Sequence, residues 1–156
     1  MKNCDSNLIN KHTLMLESVF TGEYKSKIIT THGIFFSKIT VPQLMSKACI
    51  QYASTIEGRM QATKKLMNYL VKTPVLIDPN EFGAFPTKSY KSVECVWIFN
   101  HQFEVDSTGK GQSQVTFRNG MTFPVNVSKI VLLKQQQRLN NAIYTYRLIH
   151  RNLDHT

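Results

Sequence analysis

The dipeptide Asn119-Gly120 constrains the fold of this chain more than any other short stretch. It is the strongest local signal for a β-hairpin, and apolar residues alternate on both sides of it. Two turn geometries compete. A two-residue turn puts Val115 and Phe117 on one face and Phe123 and Val125 on the other. A three-residue turn, Arg118-Asn119-Gly120 with Gly120 left-handed, pairs Phe117 with Met121 and Val115 with Phe123. That register gathers Val115, Phe117, Met121, Phe123 and Val125 on one face. A slip of one residue moves side chains to the wrong face, so the three-residue turn with its bulge is expected. Pro124 has no backbone donor, which places its strand at a sheet edge or in a bulge.

The hairpin feeds one long helix. Ser128 is suited to cap it. Leu132, Leu139, Ile143, Tyr146, Ile149 and Leu153 then recur at helical spacing. The other faces carry Gln135, Gln136, Gln137, Arg138, Asn140, Asn141, Arg147 and Arg151. These make either the solvated side of a core-packed helix or a surface facing phosphates and base edges. The heptad stripe Leu132-Leu139-Tyr146-Leu153 offers a third reading, a dimer seam. It is short, and Gln135 interrupts the companion row, so it does not make a coiled coil alone.

Charge enters the argument here. Residues 107–156 hold seven basic side chains against one acid, Asp154, so two thirds of the net charge of +9 lies in the last third of the chain. Such asymmetry points to a polyanionic partner. A second basic cluster, Arg59, Lys64, Lys65 and Lys72, falls on and after an expected middle helix. A length of 156 residues with 42% hydrophobic content suits one folded domain. No apolar run approaches the ~20 residues that cross a bilayer, and the first residues lack the apolar core of a signal peptide. A cytoplasmic protein with no membrane partner is expected.

The chemistry of most enzymes is missing. Nucleotide-loop, dinucleotide and nucleophile-elbow patterns are absent. Cys4, Cys49 and Cys95 are scattered, which suits buried or idle thiols rather than a disulfide framework. The five histidines show no zinc spacing. No cofactor and no metal are expected, and the chain is not read as an enzyme. The enzymatic alternative is a metal-dependent nuclease drawing on Asp78, Glu81, Glu94, Glu104 and Asp106.

In chain order, residues 1–11 look loose and flexible. Strands are expected at 14–20, 24–31 and 34–36, with a turn at 21–23 and a break at His32-Gly33. Val41-Pro42 opens a helix to about residue 52. Ser54-Thr55-Ile56-Glu57 fits a capping box for a second helix over 55–69. Asp78-Pro79 suits a type I turn between strands at 75–77 and 82–85. Residues 93–105 read as one long central strand buried on both faces, with Val93, Cys95, Trp97 and Phe99 on one side. A flexible loop is expected over 106–112. The sum is an α+β domain spanning 1–156: an antiparallel sheet of several hairpins, two central helices and a long C-terminal helix.

An ordered set of residues carries a resemblance. Ser26-Lys27-Ile28-Ile29 comes first, then Cys49, Ser54 and Gly58-Arg59. Pro74, Asp78-Pro79, Phe85-Pro86-Thr87 and Cys95 with Trp97-Ile98 follow, then Val115-Thr116-Phe117 and Asn119-Gly120. Over about 22–147 the chain resembles the ComK family of competence transcription factors, in its shorter, staphylococcal-like form. The resemblance implies an activator of DNA-uptake genes that binds paired A/T-rich boxes, largely through the minor groove, as dimers and higher oligomers. RNA polymerase is a further implied partner. Arg, Lys, Asn and Gln are the usual minor-groove readers. The expected DNA contacts are Arg59, Lys64, Lys65, Arg118, Asn119, Lys129, Lys134, Arg138, Arg147 and Arg151. Longer members carry a further tail that engages a degradation adaptor; nothing after Leu153 is expected to supply it. Beside this stand three other functions: non-specific or RNA binding, the nuclease, and a protein-binding regulator that uses the helix seam.

Overall fold

The structure is a computed structural model that describes residues 2–3 and 9–154, with side chains over 9–151. Thirteen elements follow in order: β1 (Lys2–Asn3), β2 (Thr13–Thr21), β3 (Tyr24–Thr30), β4 (Gly33–Ser37), α1 (Val41–Ile50), α2 (Ile56–Met67), β5 (Val75–Asp78), β6 (Phe82–Pro86), β7 (Trp97–Phe99), β8 (Phe103–Gly109), β9 (Gln112–Phe117), β10 (Thr122–Val125) and α3 (Lys129–Asp154). The strands divide into two sheets. Seven form one sheet in the order β1-β4-β3-β2-β7-β6-β5, and three form another in the order β10-β9-β8.

The seven-stranded sheet is the middle of three layers. Leu16, Ile28, Ile77, Ala84, Trp97 and Phe99 face α1 and α2 and close one core over Leu44, Met45 and Met60. Met15, Ile29, Leu76, Phe85 and Ile98 face the other way, against Val105, Val115, Phe117, Leu132 and Leu139. A sheet covered on both faces needs apolar residues on both sides of its central strands. The sequence 97–99, Trp-Ile-Phe, supplies them, and all three are buried. Gly83 is where this packing is tightest. A Cβ there would lie 2.5 Å from the Val75 carbonyl oxygen and 3.3 Å from Leu139 Cδ1, so β5 and α3 approach β6 only because the position is glycine.

The hairpin register is the three-residue one. Phe123 faces Val115. Phe117 N–H donates to Met121 O at 2.9 Å, Gly120 N–H donates to Phe117 O at 2.9 Å, and Gly120 has φ +86°. Pro124 lies on β10, an edge strand. Ser128 caps α3, its Oγ accepting from Val131 N–H at 3.3 Å.

Four expectations are corrected. The expected long strand over 93–105 breaks at 100–102: β7 joins the large sheet and β8 the small one. Asn100 makes this corner, accepting from Gly83 N–H at 3.1 Å and donating to Glu81 O at 3.2 Å. Val93 lies outside the sheet and is exposed. The expected loop over 106–112 is mostly strand, since β8 runs on to Gly109 before a tight turn into β9. The second helix is capped by Thr55, whose Oγ1 accepts from Gly58 N–H at 2.9 Å, one residue later than the capping box expected from Ser54. A reciprocal box occurs instead on α1, between Thr40 and Gln43. Lastly, Leu132 and Leu139 are buried against the chain's own sheets, which removes half of the heptad seam from any partner. The loose segment expected over 1–11 falls largely on residues 1 and 4–8, outside the described residues; Lys2–Asn3 pairs in parallel with Phe35 and Phe36.

Candidate nucleic-acid interface

Two polar surfaces are built at opposite ends of the strands. The first depends on α2 and the segment after it. α2 ends at Asn68, in the left-handed region at φ 57°, and leaves Lys64 and Lys65 exposed in its last turn. The chain then crosses to β5, with Lys72 also left-handed at φ 49°. This connection is pinned to α3. Buried Gln135 donates from Nε2 to Lys72 O and Pro86 O, both at 2.9 Å. Arg138 donates to Val71 O at 2.8 Å and Lys72 O at 3.3 Å, and bonds Gln135 Oε1. Its guanidinium lies 4.2 Å from the Tyr69 ring centre, and Tyr69 Oη donates to Arg138 O at 3.0 Å. Burial lowers the Arg138 pKa from the usual arginine value, with the Tyr69 phenol acting in the opposite sense. Burial also raises the Tyr69 pKa.

Lys64 and Lys72 line one cavity here, Lys65 follows Lys64 on α2, and Lys134 lies one turn before Arg138 on α3; all four are exposed and make this end of the molecule a basic platform. None of the ion pairs described, which involve Lys11, Lys27, Lys38 and Lys88, uses these four lysines. Leu70 and Val71 ride on the same connection and are exposed. Sequence reasoning misses this apolar pair; its signal is two aliphatic residues set inside the basic cluster, between Lys65 and Lys72.

The second surface gathers turns from both sheets. Arg118 and Asn119, exposed at the β9–β10 tip, share a cavity of about 260 Å³ with Thr31, His101 and Gln102. His101 Nε2 lies 2.8 Å from Lys11 O, and Lys11 pairs with Glu81 at 3.8 Å. The His12 and His32 rings stand edge to face, 4.7 Å between centres. Arg147 Nε donates to Asn80 O at 2.6 Å, which ties α3 to the same end. The sequence treated these histidines as dispersed, because only the sheet topology brings residues 12, 32 and 101 together.

Helix and strand rises set the separation of the two surfaces. Gln135 and Arg147 are twelve residues apart on α3, about 18 Å. The six residues of β9 carry Arg118 roughly 20 Å from the base of the hairpin. Ser113 Oγ at that base donates to Val127 O at 2.7 Å, just before Lys129.

The family model described as "ComK protein" matches residues 4–152. The chain belongs to the ComK family. A protein of Bacillus subtilis (strain 168), described as "Competence transcription factor", is 30% identical over 116 residues. The alignment covers 73% of this chain and 60% of that relative, so the chain spans about three fifths of the relative's length. No solved structure matches.

This ComK-family chain thus distributes its ten sequence-predicted contacts unevenly. Lys64, Lys65, Lys134 and Arg138 meet on the first surface. Arg118, Asn119 and Arg147 meet on the second. Lys129 begins α3 near the hairpin base, and Arg151 is exposed in its last turn. Arg59 is partly buried, with its Nη2 donating to Tyr52 O at 2.8 Å. Cys49 and Cys95 are buried; burial pushes the Cys49 thiol up to about 11 and also raises Cys95.

The geometry separates Arg138 from its neighbour Lys134. Arg138→Ala should lower the unfolding free energy by about 1–2 kcal/mol, because Val71 and Lys72 lose a donor and Tyr69 a stacked partner. Urea denaturation would read this. The salt dependence of DNA binding should change less in Arg138→Ala than in Lys134→Ala; the reverse order would make Arg138 a phosphate contact.

Proposed function

We propose that this ComK-family chain is a DNA-binding transcription regulator of competence genes that reads A/T-rich duplex, largely through the minor groove. The observation that carries the reading is the platform of four exposed lysines outside every described ion pair, which is suited to neutralise phosphates. The relative's description as a competence transcription factor supports the biological role. In this reading the platform holds the phosphate backbone, while Arg118 and Asn119 at the hairpin tip enter a groove narrowed by A/T sequence. Gln102, beside them, is a further hydrogen-bonding side chain of the right type. The chain acts in the cytoplasm as one DNA-binding domain, as a dimer or higher homo-oligomer, with RNA polymerase a partner at the promoter. It carries out no catalysis and takes no cofactor. Among the described residues no group of three or more His, Cys, Asp and Glu is placed to hold a metal ion.

The test is fluorescence anisotropy against three nucleic acids at several salt concentrations: a duplex with two A/T-rich boxes, a G/C-rich duplex of equal length, and a single strand. Preference for the A/T-rich duplex near physiological salt is expected. Equal and steeply salt-sensitive binding to all three would leave only non-specific nucleic-acid binding. In the same assay, the double variant Lys64→Ala/Lys65→Ala should weaken every sequence alike and reduce the salt slope by about two units. An unchanged slope would remove α2 from the interface.

A further inference from the structure

The seven-stranded sheet is split along one flank of β2. β2 pairs with β7 only through Met15 and Leu16, which face Ile98 and Trp97. On its other side β2 stays paired with β3 as far as Thr21. The second half of β2 therefore has one flank with no strand partner among the described residues. Between Ser18 and Thr21 the register shifts, and Val19 and Phe20 together oppose Lys25. A bulge of this kind re-aims side chains at a strand edge.

A groove of about 430 Å³ opens along the unpaired flank. Ser18, Val19 and Phe20 form one wall, and the segment 90–93 forms the other, with Trp97 and the start of α1 among its lining. The walls are unusually apolar for a surface: Phe20 is 79% exposed and Val93 65% exposed. Isolated exposed apolar residues need no explanation, but two that flank an open strand edge resemble the pockets that receive an added strand.

Charge selects the occupant. Lys25 and Lys91 line the groove, and neither belongs to an ion pair described in the structure. α1 begins at the groove and has no acidic residue in its first turn, so its N-terminal dipole adds to the positive field. A second copy of the chain, with its net charge of +9, would bring further positive charge to these lysines. Duplex DNA would satisfy the charge but leave the apolar walls against a sugar-phosphate surface.

We propose that this groove and the open flank of β2 dock an extended acidic segment of a partner protein, which adds a strand to the sheet and seats aromatic or aliphatic side chains beside Phe20 and Val93. Main-chain hydrogen bonds to β2 hold the segment, and Lys25 and Lys91 meet its carboxylates.

Trp97 is the only tryptophan of the chain and reports on the groove directly. The probe is the peptide acetyl-Glu-Phe-Glu-Val-Glu-Phe-Glu-amide, titrated against the full chain while Trp97 emission is followed. A saturable change in emission is expected. Lys25→Glu/Lys91→Glu should weaken binding roughly 10-fold or more. Val93→Glu, at an exposed position, should weaken it similarly with an unchanged melting temperature, and Phe20→Ala gives a second, uncharged variant. A peptide with proline in place of valine, lacking the central backbone donor, should lose most of its binding. No saturable change overturns the proposal, as does equal binding of a lysine-for-glutamate peptide or of the proline peptide. If Val93→Glu instead disrupts a dimer, or the groove variants lose DNA affinity and not peptide affinity, the occupant is a second copy or nucleic acid and the proposal fails.

Discussion

Trp97→Ala is expected to lower the unfolding free energy by about 3–5 kcal/mol. Trp97 is 1% exposed, at the point where β2, β7 and β6 meet. Its backbone is paired with Leu16 on one side and Pro86 on the other. Its side chain packs in the core beneath α1 and α2, so truncation opens a cavity inside a layer that strands and helices hold in place. Small domains have a total stability of about 5–15 kcal/mol, so the loss is a large share of the whole. The melting temperature should fall by roughly 10 °C in far-ultraviolet circular dichroism. A fall of one or two degrees would show that the neighbouring side chains collapse into the space. Such a result would also make the groove beside Trp97 softer than its packing indicates.

Arg118→Ala carries the largest expected effect on recognition. Arg118 is exposed at the tip of a hairpin whose turn is fixed by Gly120 at φ +86° and by two backbone bonds of 2.9 Å. Asn119 steadies the same turn, its Oδ1 accepting from Met121 N–H at 3.0 Å. A rigid tip holds the guanidinium forward with little ordering left to be done on binding. In an A/T-narrowed minor groove the negative potential is deepest, and an inserted arginine gains most there. Arg118→Ala should weaken binding to the A/T-rich duplex by about 1–3 kcal/mol, roughly 5- to 150-fold, and leave the G/C-rich duplex nearly unchanged. Equal loss on both duplexes would make Arg118 a phosphate contact.

The legible parts of this fold were those set by neighbours in sequence. The β9–β10 register followed from Gly120 and the alternation around it, and the start of α3 from Ser128. Helix α1 followed from Val41-Pro42, although its cap at Thr40 and Gln43 was passed over. The break after Phe99 was not legible. Residues 93–105 carry a continuous β pattern, and what divides them is the side chain of Asn100 bonding Gly83 and Glu81, nearly twenty residues earlier. The candidate interface divides on the same principle. Lys64 and Lys65 were visible as a cluster because they are adjacent on one helix. Arg138 reads as one more surface cation, and only its contacts with Tyr69, Val71 and Lys72 reveal its second role as a clamp. Gln135 looked like an interruption in an apolar row. It is instead the buried amide that ties the α2–β5 connection to α3.

Minor-groove recognition of A/T-rich DNA is the core of the function proposed for this chain. It is tested most directly by replacing every A·T pair of the two boxes with inosine·cytosine. Inosine lacks the guanine 2-amino group, so the minor groove keeps the acceptor-only pattern of A·T while the major groove takes on the pattern of G·C. Anisotropy at near-physiological salt should show affinity for the substituted duplex close to that for the A/T-rich one, and Arg118→Ala should lose affinity for both. Affinity that drops to the level of the G/C-rich duplex would place the reading in the major groove and contradict the account.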